Sequence, residues 1–160
     1  MKVPRPPPPS SVAVSAVMKA NRARDTGPEV ALRRALWVLG ERGYRLAPKR
    51  VLGRPDITYM SDRLAVFVHG CFWHRHGCKN ASQALPKSNR PYWEVKFKLN
   101  VERDARKARD LESLGWRVVT VWECEIERDA DAAARKVKAE RTISRLPLGV
   151  KSQNTGHARP

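Results

Sequence analysis

Cysteine is scarce in this chain of 160 residues: Cys71, Cys78 and Cys124 are the whole set. So sparse and odd a complement excludes a secreted scaffold stapled by disulfides. It leaves metal binding or free thiols in a reducing cytosol. Long apolar runs are lacking too. No stretch approaches the roughly 18 apolar residues of a membrane-spanning helix, which argues against an integral membrane protein, while the cysteine usage points to a cytoplasmic one. The N-terminus has no apolar segment of the kind a secretion signal carries, and offers the proline run Pro6–Pro9 instead. There is no internal repeat. Acidic side chains are few: 16 Asp and Glu stand against 32 Lys and Arg, a formal charge of +16 with histidine neutral. A surplus of that size predicts a polyanionic partner, most simply nucleic acid.

The surplus is unevenly spread. Residues 1–24 carry five basic and no acidic side chains, and residues 141–160 carry four basic and none acidic. The remaining 25–140 hold 23 basic against 16 acidic, so the middle is basic in its own right. The expected organisation is a disordered Pro-rich, basic arm over 1–17, one domain over 18–142 and a basic flexible tail over 143–160. A length of 160 residues suits one apolar core rather than two.

A short helical pattern runs from Val12 to about Ala23. A firmer helix begins at Thr26-Gly27-Pro28-Glu29, which has the form of a capping box with proline just inside the start. Leu32, Leu36 and Leu39 share one face of it, and Gly40 and Gly43 end it. Strands are expected at 56–60, at 64–68 and at 117–122. The second, Leu-Ala-Val-Phe-Val, is a continuous apolar run of the kind a strand covered on both faces shows. A long helix at about 91–114 separates the last two strands, with Trp93, Phe97, Val101, Ala108 and Leu111 at helical spacing. Strand, helix, strand is a crossover that makes those strands parallel neighbours. A last helix is expected over about 127–141. The class is α/β with a small mixed sheet flanked by helices. Trp37, Trp116 and Trp122 read as core residues.

Chemistry concentrates in one segment. Three of the four histidines fall within eight residues, in His69-Gly70-Cys71-Phe72-Trp73-His74-Arg75-His76-Gly77-Cys78. It follows directly from the buried strand, so its side chains leave a sheet edge on a fixed support. Thiolate and imidazole together are what zinc prefers, usually as four ligands in a tetrahedron. Cys71, Cys78 and one histidine make three. Cys124, at the end of the strand the crossover brings alongside, can be the fourth; alone, it would read as a small buried hydrophobe. Which histidine binds is left open, and two are spare.

Asp56 closes Gly53-Arg54-Pro55-Asp56 at the start of a strand. Nucleases commonly place a Pro-Asp carboxylate there to hold magnesium for attack on a phosphodiester, although an Asp that merely closes a turn is the commoner case. The acid-x-Lys triplet that usually follows is missing, and Phe67-Val68-His69 stands in its place. A neutral imidazole there can accept a proton near pH 7. Glu29 is explained by the capping box and equally by a carboxylate facing such a site through water. Phe72 and Trp73 cannot easily both enter one core, and can stack on bases, as can Trp93. For Trp93 a core position is as reasonable.

Four separated motifs carry a resemblance: His69-Gly-Cys71-Phe72-Trp73-His74, Gly53-Arg54-Pro55-Asp56, Asn100-Val-Glu-Arg-Asp104, and Gly115-Trp116 through Val121-Trp122-Glu123-Cys124. In this order they resemble the very short patch repair (Vsr) DNA mismatch endonucleases of bacteria, in register from about Met18 to about Ala134. The resemblance implies a restriction-endonuclease-like core, a structural zinc and magnesium-dependent nicking beside the thymine of a T·G mismatch left by deamination of 5-methylcytosine. It implies Asp56 and the main-chain carbonyl of Val68 as magnesium ligands and His74 as the activator of the attacking water. His69 and Glu29 support the site, and Cys71, His76, Cys78 and Cys124 hold zinc. Phe72, Trp73 and Trp93 form a wedge beside the mismatch, with Met18 entering from the opposite groove. The partners implied are mismatched double-stranded DNA and, functionally, a DNA cytosine methyltransferase and mismatch-repair proteins, for a monomer at the nucleoid. The alternatives are a restriction-like or other structure-specific nickase, and a zinc-ordered DNA-binding module without catalysis.

Overall fold

The structure is a computed structural model that describes Arg5, Pro7, Pro8, residues 24–79, Pro86 and residues 88–145. The helical pattern at 12–23, Met18 and the tail beyond residue 145 lie outside the described residues.

Helix α1 (Gly27–Val38) starts where the capping box predicts, with Thr26 as its N-cap and Pro28 in the first turn. After it come β1 (Arg45–Leu46), β2 (Ile57–Tyr59), β3 (Leu64–His69), the long helix α2 (Arg90–Ser113) and β4 (Arg117–Trp122). The chain continues into α3 (Glu123–Arg128) and α4 (Ala130–Ser144). The sheet has the order β1-β2-β3-β4. β1 pairs β2 and β2 pairs β3 antiparallel, whereas β3 and β4 pair parallel, with Leu64 opposite Arg117 and His69 opposite Trp122. The fold class is therefore the mixed α/β one expected, and the crossover through the long helix is present.

β3 explains its own composition. Leu64 and Val66 point into a core shared with Leu32 and Leu36 of α1 and with Ala134 and Val137 of α4. The alternate residues Ala65 and Phe67 point into a second cluster with Val51 and Leu111 of α2. Helices cover both faces, so no position on the strand can be polar until its end. There the polar residue is His69.

Several expectations need correction. Trp37 is not core: it is 57 % exposed, with the Arg42 guanidinium 4.1 Å above its ring. It lies one position beyond the buried Leu36, and a helix turns about 100° per residue, which carries it off the core face. Val101 is 44 % exposed, because only the Phe97 and Leu111 ends of α2 are buried. Trp116 packs half-buried on the Val51–Leu111 cluster. Trp122 is half-buried beside histidine rings rather than in the aliphatic core. The last helix is two helices, divided at Asp129, whose extended backbone ends α3 and whose carboxylate caps α4 through the Ala132 amide at 2.8 Å. β1, with only two exposed residues, was too short to leave a pattern.

Candidate active site and metal centre

Parallel pairing sends the ends of β3 and β4 out on the same side of the sheet, where open α/β sheets place their ligands. The segment after β3 and the first turn of α3 after β4 meet there. Cys71, His76, Cys78 and Cys124 bring their donor atoms within 4.8 Å of one another. His76 Nδ1 lies 3.6 Å from Cys71 Sγ and 3.4 Å from Cys124 Sγ. Neighbouring donors in a tetrahedral zinc site stand about 3.5–3.8 Å apart, given bond lengths of about 2.3 Å to sulfur and about 2.0 Å to nitrogen. The set thus fits a metal of that kind in both chemistry and spacing. Burial pushes the Cys71 thiol up to about 12 and raises Cys124 as well, so a bound cation is what would favour their thiolates. The Cys71 amide donates to Glu123 Oε2 at 3.0 Å, which ties the loop to the end of β4.

Next to this centre is a cleft of about 740 Å³ lined by Glu29, Asp56, Val68, His69, His74, Asp104 and Lys107, among others. Trp122 forms the partition: the His76 ring stacks on it at 4.1 Å, while His69 meets it edge-on at 5.4 Å. In the cleft, Asp56 Oδ2 accepts from the Val68 amide at 2.8 Å, fastening the start of β2 to β3. Burial first, and then the charge of Glu29, raise the Asp56 pKa to about 6 against the Val68 hydrogen bond. A half-buried carboxylate with no basic partner in hydrogen-bond contact suits a hard divalent cation, which would return it to the ionised form.

His74 Nδ1 sits 2.5 Å from Asp104 Oδ2. Burial works against ionisation of Asp104, but the His74 hydrogen bond and the His74 and Arg103 charges outweigh it and hold the carboxyl below its ordinary value. An ionised Asp104 accepts from Nδ1–H of His74 and leaves Nε2 free to act on a proton. The His69 ring lies flat on that of His74, with centroids 4.0 Å apart and planes 3° from parallel. Burial, and then His74, push the His69 pKa down to about 4, so His69 is neutral near pH 7. Donor atoms of His69, His74 and Asp104 also lie within 4.8 Å of one another, a second group able to hold a metal.

Glu29 serves both readings at once. Thr26 Oγ1 accepts from its amide at 3.4 Å and donates to its Oε1 at 3.0 Å, and the Asp25 amide donates to its Oε2 at 3.0 Å. The carboxylate closes the cap at the Asp25 amide rather than at the amide of Thr26 itself, and it also lines the cleft.

Phe72, Trp73 and Trp93 form one aromatic group on the first turns of α2, beside the cleft. Phe72 meets Trp73 and Phe97 edge-on at 5.1 Å each and Trp93 at 6.4 Å. Phe97 is the buried anchor beneath them. Lys96 Nζ lies 5.4–5.6 Å from the rings of Trp73, Tyr92 and Trp93. Asn100 Nδ2 donates to the Trp73 carbonyl at 3.3 Å.

The structure therefore brings Asp56, Val68, His69, His74 and Glu29 to one cleft and the four expected zinc ligands to one centre. Sequence reasoning gave no role to Asp104, Lys107 or Glu123. Asp104 stands in one of the motifs that carry the resemblance, but it and Lys107 are two charges among many on a long helix, and only the packing of α2 gives them a role. Glu123 likewise stands in a motif, but only as the neighbour of Cys124, with nothing to mark its bond to the Cys71 amide.

Fold and site together define a small mixed α/β protein with a cysteine–histidine centre beside an acidic, histidine-bearing cleft. The profile of the family described as DNA mismatch endonuclease Vsr matches residues 11–80. A type II nicking enzyme of Xanthomonas oryzae pv. oryzae is 47 % identical over 110 residues, which are 69 % of this chain and 79 % of that one. Another type II nicking enzyme, from Neisseria meningitidis, is 40 % identical over 129 residues, 81 % of this chain and 90 % of the relative. The DNA mismatch endonuclease Vsr of Escherichia coli is 40 % identical over 107 residues, 67 % of each chain. The chain belongs to the Vsr DNA mismatch endonuclease family.

Proposed function

We propose that this protein is a magnesium-dependent DNA endonuclease that nicks one strand of a duplex beside the thymine of a T·G mismatch and so initiates very short patch repair. The observation that carries this reading is the convergence of Asp56, His69 and the His74–Asp104 pair on one cleft, in a chain with a charge of +16. Family membership supports DNA as the substrate.

In this reading, His74 Nε2 takes a proton from water as the water oxygen bonds to phosphorus. The bond from phosphorus to one ester oxygen breaks, and that oxygen leaves with the electron pair and takes a proton from solvent water, while His74 later returns its own proton to solvent. Asp104 holds the imidazole by its Nδ1–H and stabilises the positive charge the ring acquires. His69, neutral and stacked on His74, fixes the plane of that ring. Asp56 and the Val68 main-chain carbonyl are the groups that would hold magnesium, with Glu29 in support through water. Magnesium bound there would supply charge stabilisation to the phosphodiester under attack. Cys71, His76, Cys78 and Cys124 would close a structural zinc site, since four ligands leave no open position.

Phe72, Trp73 and Trp93, with Met18 from the opposite groove, are the candidates for entering the base stack. Unstacking costs less at a mismatch than in paired DNA, so a wedge of this kind selects the lesion by energy. One chain over residues 18–142 is sufficient for one nick. A DNA cytosine methyltransferase that creates such lesions, and mismatch-repair proteins, are the functional partners this substrate implies.

The names of several relatives favour a second reading, a nickase acting on other distorted or site-specific DNA. One assay separates the two. End-labelled duplexes carrying T·G or C·G in the same context are incubated with magnesium and either wild type or His74→Ala. A nick confined to the T strand of the mismatched duplex and lost in the variant is the expected result. Equal cutting of both duplexes would discard the repair role, and no cutting of either would discard the nuclease.

A further inference from the structure

Two cations one helical turn apart, Arg103 and Lys107, face the cleft from α2. Like charges at that spacing repel, so the pair is unfavourable unless something negative lies against it. Arg103 has a partner, since its Nε and Nη2 each reach Asp104 Oδ1 at 3.2 Å. Lys107 differs. It is partly buried, with Asp56 and Asp104 close enough for their charges to act on it. Among the described residues, however, its ammonium enters no hydrogen bond or ion pair. Keeping a cation out of bulk water without a partner costs free energy, and an anion bound at the site would recover it.

The stem of Lys107 is held in place. A Cβ at Gly53 would come within 3.3 Å of Lys107 Cγ and Cδ. Gly53 also has φ +73°, a conformation glycine adopts without steric cost. The lysine thus lies across the turn that carries Asp56, and its ammonium shares the cleft with that carboxylate without pairing to it. A phosphodiester entering there meets the carboxylates of Glu29, Asp56 and Asp104. A counter-charge in the same cleft would offset that repulsion.

We propose that Lys107 contacts a non-bridging oxygen of the phosphodiester that is cut, and stabilises the charge those oxygens gain as water attacks. The lysine missing from the strand after Asp56 would then be supplied by the crossover helix instead. This rests on the cleft being the nuclease site, so the test carries Asp56→Ala as a control for that reading.

Single-turnover nicking of the mismatched duplex is measured with saturating enzyme for wild type, Lys107→Ala, Lys107→Arg and Asp56→Ala, and duplex affinity is measured separately. Lys107→Ala is expected to lose about 10- to 100-fold in rate, with affinity within about threefold of wild type, and Lys107→Arg to recover part of the loss. In single-turnover rate, a neutral methylphosphonate at the scissile position should slow wild type by a larger factor than it slows Lys107→Ala, because the contact is already gone in the variant. A rate within about threefold of wild type for Lys107→Ala, or a rate loss matched by lost affinity, overturns the proposal. So does coupling to a flanking phosphate, or no coupling at the scissile one. If Asp56→Ala nicks as wild type does, the cleft reading itself falls, and Lys107 with it.

Discussion

Asp104→Asn isolates the charge of the His74–Asp104 pair with little change of shape. Both side chains are mostly buried, 19 % and 13 % exposed, so their attraction is not screened as a surface pair's would be. If His74 takes a proton during the reaction, the imidazolium and the carboxylate attract with about 4 kcal/mol at about 4 Å and an effective dielectric constant of about 20. The ground state, with a neutral ring, gains only an ordinary hydrogen bond to a charged acceptor, worth about 1.5–3 kcal/mol. The difference, roughly 1–3 kcal/mol, is what the transition state loses, and each 1.4 kcal/mol or so is about tenfold in rate. Asparagine can also present its NH₂ to Nδ1 and so favour the wrong tautomer, which adds to the loss. The expected fall in the single-turnover nicking rate is therefore about 5- to 100-fold from the charge alone, with mismatch affinity and melting temperature close to wild type. A rate within about threefold of wild type would refute the pairing as a source of catalysis. A fall in rate matched by lost affinity or lost folding would refute the charge argument and leave Asp104 a structural residue.

Cys78→Ala should lower both bound metal, read by elemental analysis, and the melting temperature, because a structural metal site contributes folding free energy; unchanged values for both would remove Cys78 from the ligand set. Phe97→Ala should cost about 3–5 kcal/mol in urea unfolding, since the ring is 3 % exposed and supports Phe72 and Trp93; a cost below about 1 kcal/mol would mean that the aromatic group does not depend on it. Hydrogen bonding to Arg145 and Arg141 holds the Asp62 carboxyl below its ordinary value. A depressed folded pKa gives stability that is present above the unfolded value of about 3.9 and is lost as pH falls through the folded one. Asp62→Asn should therefore destabilise near neutrality and flatten the acid limb of a stability–pH curve, and an unchanged slope there would contradict the shift.

Much of this protein could be read from local pattern. Thr26-Gly-Pro-Glu29 announced its helix because a cap is made by residues within one turn of each other. The uniform apolar run at 64–68 announced a strand covered on both faces, and strand–helix–strand spacing implied a parallel pair. From that pair followed the meeting of Cys124 with Cys71, since parallel strands end on the same side. Each of these depends on neighbours in sequence or on one topological rule. Tertiary structure decided the rest. Trp37 faces outward because helix phase, not hydrophobicity, sets which side is buried, and no local pattern marked the break at Asp129. Trp122 became the partition between the cleft and the cysteine–histidine centre only when the ends of β3 and β4 came together. Lys107 is indistinguishable in sequence from the other charges of a 24-residue helix, and the motif that contains Asp104 gave it no role. Their pairing with His74 and their approach to Asp56 arise from how α2 lies against the sheet, a contact between residues 30 or more positions apart that no periodicity records.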